Sequence, residues 1–107
     1  MGISDFEAVW DEIQRAIQPG AVIRNWGMAR GFTGGGFIID DVGRSSVTVS
    51  GGNMQGSRRV SKGDFEKLYA VWDQYLAGNY PRSSMLLLSH NSTYIVSILK
   101  QTAPGRR

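Results

Sequence analysis

The sequence predicts an α+β domain: an N-terminal helix, a small, mostly antiparallel sheet of three or four strands, and a C-terminal helical region. Three observations predict it. Apolar residues recur at three- and four-residue steps in both flanks of the chain, the spacing of one helical face. Nine of the fourteen glycines lie between residues 27 and 56. Helices do not tolerate that density, since each interior glycine costs roughly 1 kcal/mol relative to alanine. Within this middle stretch, residues 46–50 alternate hydroxyls with Val47 and Val49, the period of a half-buried strand.

The first helix starts at Ser4. Glu7 stands three residues on, the spacing of a capping box. Phe6, Val9, Trp10, Ile13, Ala16 and Ile17 form its apolar stripe. Asp5, Glu7, Asp11, Glu12 and Arg15 occupy the other side, and Pro19-Gly20 ends it. Residues 21–26 read as a short strand and 27–36 as a long flexible loop. Residues 37–42 read as a second strand, and 43–45 turn tightly into the strand at 46–50. Residues 51–53 turn again, and 57–60 add an edge strand.

A second long helix covers 61–77. Ser61 caps it with Asp64 at the capping-box position, and Phe65, Leu68, Tyr69, Trp72, Tyr75 and Leu76 form the stripe. Gly78 suits the position just past its end, and Pro81 prevents continuation. Residues 83–88 and 92–100 fit either two strands or two helices joined by a turn at 89–91. The helical reading is preferred, because Asn91 and Ser92 are good N-caps and Tyr94, Ile95, Ile98 and Leu99 share a helical face. The expected domain is 1–101, with a disordered tail at 102–107.

Composition excludes several classes of function. A chain of 107 residues has room for one core. It has no cysteine, which excludes disulfides, thiolate catalysis and Cys-ligated metal. No run of about 18 apolar residues is present, so no membrane span is expected. The acidic, amphipathic N-terminus lacks the features of a signal peptide, and the expected location is cytoplasmic.

Enzyme signatures are sparse. His90 is the single histidine, so zinc held by histidines of this chain is not expected. Asp40 and Asp41 are adjacent in a strand and point to opposite faces, which keeps them from sharing a metal. The run Gly34-Gly35-Gly36 opens a strand, whereas phosphate-binding glycine loops open helices. No cofactor is implied. A small hydrolase or nuclease using His90 as general base beside an arginine is the remote enzymatic reading.

Charge carries the main pointer. The net +3 hides an acidic start and a basic second half. Residues 1–20 hold four acids and one arginine, whereas 57–107 hold eight bases against three acids. If 83–88 and 92–100 are helices, their spacing is that of a helix-turn-helix. Its second helix would then expose His90, Asn91, Ser92, Thr93, Ser97 and Lys100. The first expectation is therefore a small, non-enzymatic nucleic-acid-binding module, DNA foremost. Arg58, Arg59, Lys62 and Arg82 would hold phosphates, His90, Asn91, Ser92 and Thr93 would lie near the bases, and Lys100 would belong to the same nucleic-acid-binding set. The second expectation is a protein-interaction module or homodimeric subunit. It would use exposed Trp26 and Phe32 with Arg24 and Arg30, together with the edge strand at 57–60.

Overall fold

The computed structural model describes residues 4–28, 30–51 and 56–102, with Ser4 and Asp5 described by their backbone. In chain order it contains α1 (Ser4–Ala16), β1 (Val22–Gly27), β2 (Gly31–Val42), β3 (Ser46–Ser50), β4 (Ser57–Ser61), α2 (Lys62–Tyr69), α3 (Trp72–Leu76), α4 (Arg82–Leu88) and α5 (Ser92–Gln101). The strands form one antiparallel sheet in the order β1-β2-β3-β4. The architecture is thus α+β, with an N-terminal helix and C-terminal helices. No helix among the described residues is long and apolar enough to cross a membrane.

The layers follow from strand alternation. Ile23, Phe37, Ile39, Val47, Val49 and Val60 are buried on the face toward the helices. Val22, Ile38, Asp41 and Arg59 lie on the other face and are exposed. The helices complete the core with Phe6, Trp10, Ile13, Phe65, Leu68, Trp72, Ile95, Ile98 and Leu99. Each fully buried aliphatic or aromatic side chain of this kind contributes about 1.5–3 kcal/mol. In α1 the stripe is buried except for Ala16. Trp10 donates its indole N–H to the carbonyl of Arg44 at 2.8 Å, and Gln14 donates to the carbonyl of Gly43 at 2.6 Å. The expected 43–45 turn is therefore also the anchor of α1. The side chain of Ser4, invoked above as a cap, and most of the 51–53 turn lie outside the described residues.

Two expectations are corrected. Residues 27–36 are not a long loop. β2 begins at Gly31, so the connection from β1 is only 28–30. The glycines belong to an irregular strand pairing. Arg24 pairs with Gly36 and Trp26 with Phe32, so residues 33–35 bulge opposite Asn25. At Gly36 a Cβ would stand 2.5 Å from the carbonyl oxygen of Ile23. The glycine there permits backbone to approach backbone.

The long helix 61–77 is also interrupted. α2 ends at Tyr69 with Ala70 as its C-cap, and Val71 (φ −113°, ψ 9°) leads into α3. Phe65, Leu68, Trp72 and Tyr75 remain buried, so the apolar stripe survives the break. Ser61 Oγ accepts from the Asp64 N–H at 3.1 Å. The Asp64 carboxylate does not turn back to complete the box. It accepts from Ser89 Oγ at 2.8 Å and fastens the α4–α5 turn to α2. Gly78 (φ +83°) follows α3, and the bonds from Asn79 N–H to Gln74 O and from Gly78 N–H to Tyr75 O form a Schellman stop.

The helical reading of 83–100 holds, but α5 is a core helix. Ser92, Ile95, Val96, Ser97, Ile98 and Leu99 are all buried. Tyr94 meets Phe37 of β2 edge-on at 5.1 Å. Farther along α5, Ser97 Oγ accepts from the Trp26 N–H at 3.0 Å, and Gln101 bonds the N–H and the carbonyl of Arg24. The free edge of β1 is thereby closed by side chains of α5. Thr102 is 1% exposed and donates to the carbonyl of Ile98 at 2.9 Å, so the chain is still packed at that residue. The remainder of the expected tail, 103–107, lies outside the described residues.

Candidate functional site

A groove of about 550 Å³ opens between the β1–β2 hairpin tip, the turn after α3 and the starts of α4 and α5. It is the size of a small-molecule or single-nucleotide site. The α3 stop positions one wall. Gly78 reverses the chain, Tyr80 packs back on the core, and Pro81 leads into α4 with Arg82 as its first residue. The hairpin forms the opposite wall. Tyr75 Oη accepts from the Met28 N–H at 3.0 Å and ties the hairpin tip to α3. Trp26 lies between, 6.2 Å from Trp72 and 6.3 Å from Tyr75, with Lys100 Nζ 4.9 Å from its ring centre.

Two arginines face this mostly apolar space, and no carboxylate lines it among the described residues. Arg82 donates Nη1–H to Ser92 Oγ at 2.7 Å and Nη2–H to Thr93 Oγ1 at 2.9 Å. Both acceptors are neutral, and no carboxylate pairs with the guanidinium among the described residues, so it is held in place with its charge uncompensated there. A guanidinium has five N–H donors in a planar fork. The two hydroxyls leave the rest of that fork for a ligand. Arg30 is exposed at the hairpin tip and has no ion pair among the described residues. This arrangement suits a small planar group carrying negative charge, with the apolar floor under the planar part and the guanidiniums on the anion.

The groove unites residues that the sequence assigned to separate surfaces. Arg82 and Thr93 come from the expected phosphate- and base-contacting set, and Trp26 and Arg30 from the expected partner-binding loop. The other expected residues are placed differently. Asn91 is 5% exposed and Ser92 is fully buried, so neither presents a side chain to a duplex. Ser97 is buried as well, and the expected recognition-helix surface is corrected accordingly. The cause is the apolar face of α5, which must cover the sheet.

Asn91 Oδ1 instead accepts from Arg58 Nη1 at 3.3 Å, and the Arg58 guanidinium lies 5.9 Å from the Tyr94 ring centre. Lys62 is not free for phosphate, because its Nζ is 2.8 Å from Glu7 Oε1. Arg59 is exposed on the outer face of the sheet, opposite Thr48. His90 is exposed in the α4–α5 turn, and no group of three metal-ligating side chains occurs among the described residues.

In the partner-binding set, Trp26 is half-buried against the core, contrary to the expectation of an exposed anchor. Phe32 is 42% exposed, with the Arg24 guanidinium 4.9 Å from its ring centre. The sequence did not mark Tyr75 or Pro81 as site residues. Tyr75 sits on a buried stripe, and nothing in its spacing shows that its hydroxyl reaches the hairpin. Comparison of the chain with known protein families, curated proteins and solved structures gives no match.

Proposed function

We propose that this protein is a small, non-enzymatic nucleic-acid-binding module, and that its groove takes a phosphate together with the neighbouring base of a single strand. The supporting observation is Arg82. Its guanidinium is fixed by two hydroxyls, is uncompensated by any carboxylate among the described residues, and stands on the wall of an apolar groove that a second arginine also lines. Phosphate contacts by arginine supply affinity without regard to sequence, and an aromatic floor gives a base a surface to pack on. Trp26 and Tyr80 supply that aromatic surface here.

A single strand suits the site better than a duplex. A concave aromatic groove needs an unstacked base, and Asn91 and Ser92 at the start of α5, which a duplex reader would present, are buried. The test is fluorescence anisotropy with labelled single-stranded DNA, single-stranded RNA and duplex DNA at low salt. Binding of the single strands, weaker binding of the duplex and loss of affinity with added salt are expected. Absence of binding to all three probes at low salt overturns the reading.

A further inference from the structure

The two edges of the sheet are treated differently. At β1, Ser97 and Gln101 of α5 occupy the outward backbone groups of Trp26 and Arg24. At β4 no described residue does this. The ladder between β3 and β4 pairs Ser46 with Ser61 through to Ser50 with Ser57. Beyond it the Lys62 N–H donates to the Ser45 carbonyl at 2.8 Å. Hydrogen-bonded and non-bonded pairs alternate in an antiparallel ladder. Residues 62, 60 and 58 therefore turn their backbone groups toward β3, and Arg59 and Ser57 turn theirs outward. Among the described residues nothing caps them.

The side chains on this edge select what can pair with it. Arg58 and Arg59 are both exposed, and successive strand residues lie on opposite faces. The edge is thus positive on both sides of the sheet. Neither arginine has an ion pair among the described residues. A second copy of the chain is a poor occupant. In a two-fold pairing that continues the sheet with the helices on one side, paired residues must share a face. Centring such a pairing on Arg59 or Arg58 sets that arginine against its own copy. Centring it on Ser57 or Val60 carries the pairing past an end of β4, so that Arg58 faces Gly56 or the first residue of α2. Like charges directly opposite are destabilising. A DNA strand is also a poor occupant, because its sugar-phosphate backbone has no donor for the outward carbonyls. An extended peptide has both donors and acceptors, and acidic side chains on both of its faces would meet Arg58 and Arg59.

We infer that the open edge of β4 is a strand-addition site for an extended acidic peptide segment of a partner protein, with Ser57 and Arg59 supplying the backbone pairing. No residue of β4 lines the groove, so this proposal and the nucleic-acid reading stand or fall separately.

The probe is a fluorescein-labelled octapeptide, Thr-Val-Glu-Glu-Thr-Val-Glu-Glu. It is compared with its fully N-methylated form and with an analogue carrying lysine for glutamate. The acidic peptide binds, both controls bind at least tenfold more weakly, and the Ser57 and Arg59 amides gain hydrogen-exchange protection on binding. Arg59→Glu, its fold checked by thermal melting, loses the acidic peptide at least tenfold and gains the lysine analogue. Equal binding of the N-methylated peptide, or no added protection at Ser57 and Arg59, overturns the proposal. So does sedimentation showing that the chain dimerises with those same amides protected.

Discussion

Replacing Ser97 with alanine tests the closed edge of the sheet with a single atom. Ser97 is fully buried, and its Oγ accepts from the Trp26 N–H at 3.0 Å while donating to the Thr93 carbonyl at 2.9 Å. The Thr93 carbonyl also faces the N–H of the next helical turn, so its loss is small. The Trp26 N–H has no second partner among the described residues. Leaving such a part-buried donor unsatisfied costs about 1–3 kcal/mol. Alanine returns about 0.5 kcal/mol through its better helix propensity. The net loss is then about 1.5 kcal/mol. For a domain near this size each kcal/mol lowers Tm by about 4–8 °C, which makes the expected fall roughly 6–12 °C. Gln101→Ala is the internal contrast. It removes two exposed bonds to Arg24, at 3.4 and 2.7 Å, which water replaces, and a part-buried one to the Ser97 carbonyl at 2.9 Å, whose acceptor keeps its helical partner, so its loss stays below about 1 kcal/mol and below that of Ser97→Ala. Urea unfolding followed by tryptophan fluorescence measures both variants. A Ser97→Ala loss below about 0.5 kcal/mol, or a larger loss for Gln101→Ala, would refute the view that Ser97 holds the β1 edge.

Other substitutions have equally definite outcomes. Gly36→Ala forces a Cβ to within 2.5 Å of the Ile23 carbonyl, and the backbone shift it demands lowers stability by about 1–3 kcal/mol in the same urea assay. Lys62→Ala breaks an ion pair with Glu7, whose side chain is largely exposed, and changes stability by less than about 1 kcal/mol. It also leaves nucleic-acid affinity unchanged by anisotropy, because Lys62 is engaged away from the groove. Ser92→Ala removes one of the two acceptors that hold the Arg82 fork and weakens single-strand binding without touching the ligand. Nucleic-acid titrations of that variant, alongside its Tm, separate the lost orientation from lost stability.

The parts of the fold that sequence made legible are those in which one physical rule acted alone. The α1 stripe, the 43–45 turn, the strand at 46–50 and the Gly78 stop each follow from local spacing or from one backbone requirement. The misread parts are places where a tertiary demand overrode a local rule. A glycine cluster marks a loop when nothing else is known. Here Gly36 serves a bulged strand pairing that only the neighbouring Ile23 carbonyl explains. The break at Val71 leaves the three- and four-residue spacing of the buried residues intact, so periodicity passes over it.

The same holds at the site. Asn91 and Ser92 have the composition of an exposed helix start, but the apolar residues that follow require α5 to be buried, which turns their polar atoms onto Arg58 and Arg82. Arg30 and Arg82 are more than fifty residues apart in the chain. Charge counting could place them in the chain but could not bring them to one groove.

The most direct test of the groove is the salt dependence of single-strand binding in the wild type, Arg30→Ala and Arg82→Ala. Each phosphate neutralised contributes about 0.7 to the slope of log affinity against log salt for single strands. If the two guanidiniums share the one phosphate in the groove, each variant binds more weakly than the wild type and its slope is shallower, by at most about 0.7. Variants that stay folded, yet keep both the affinity and the slope of the wild type, would contradict the account.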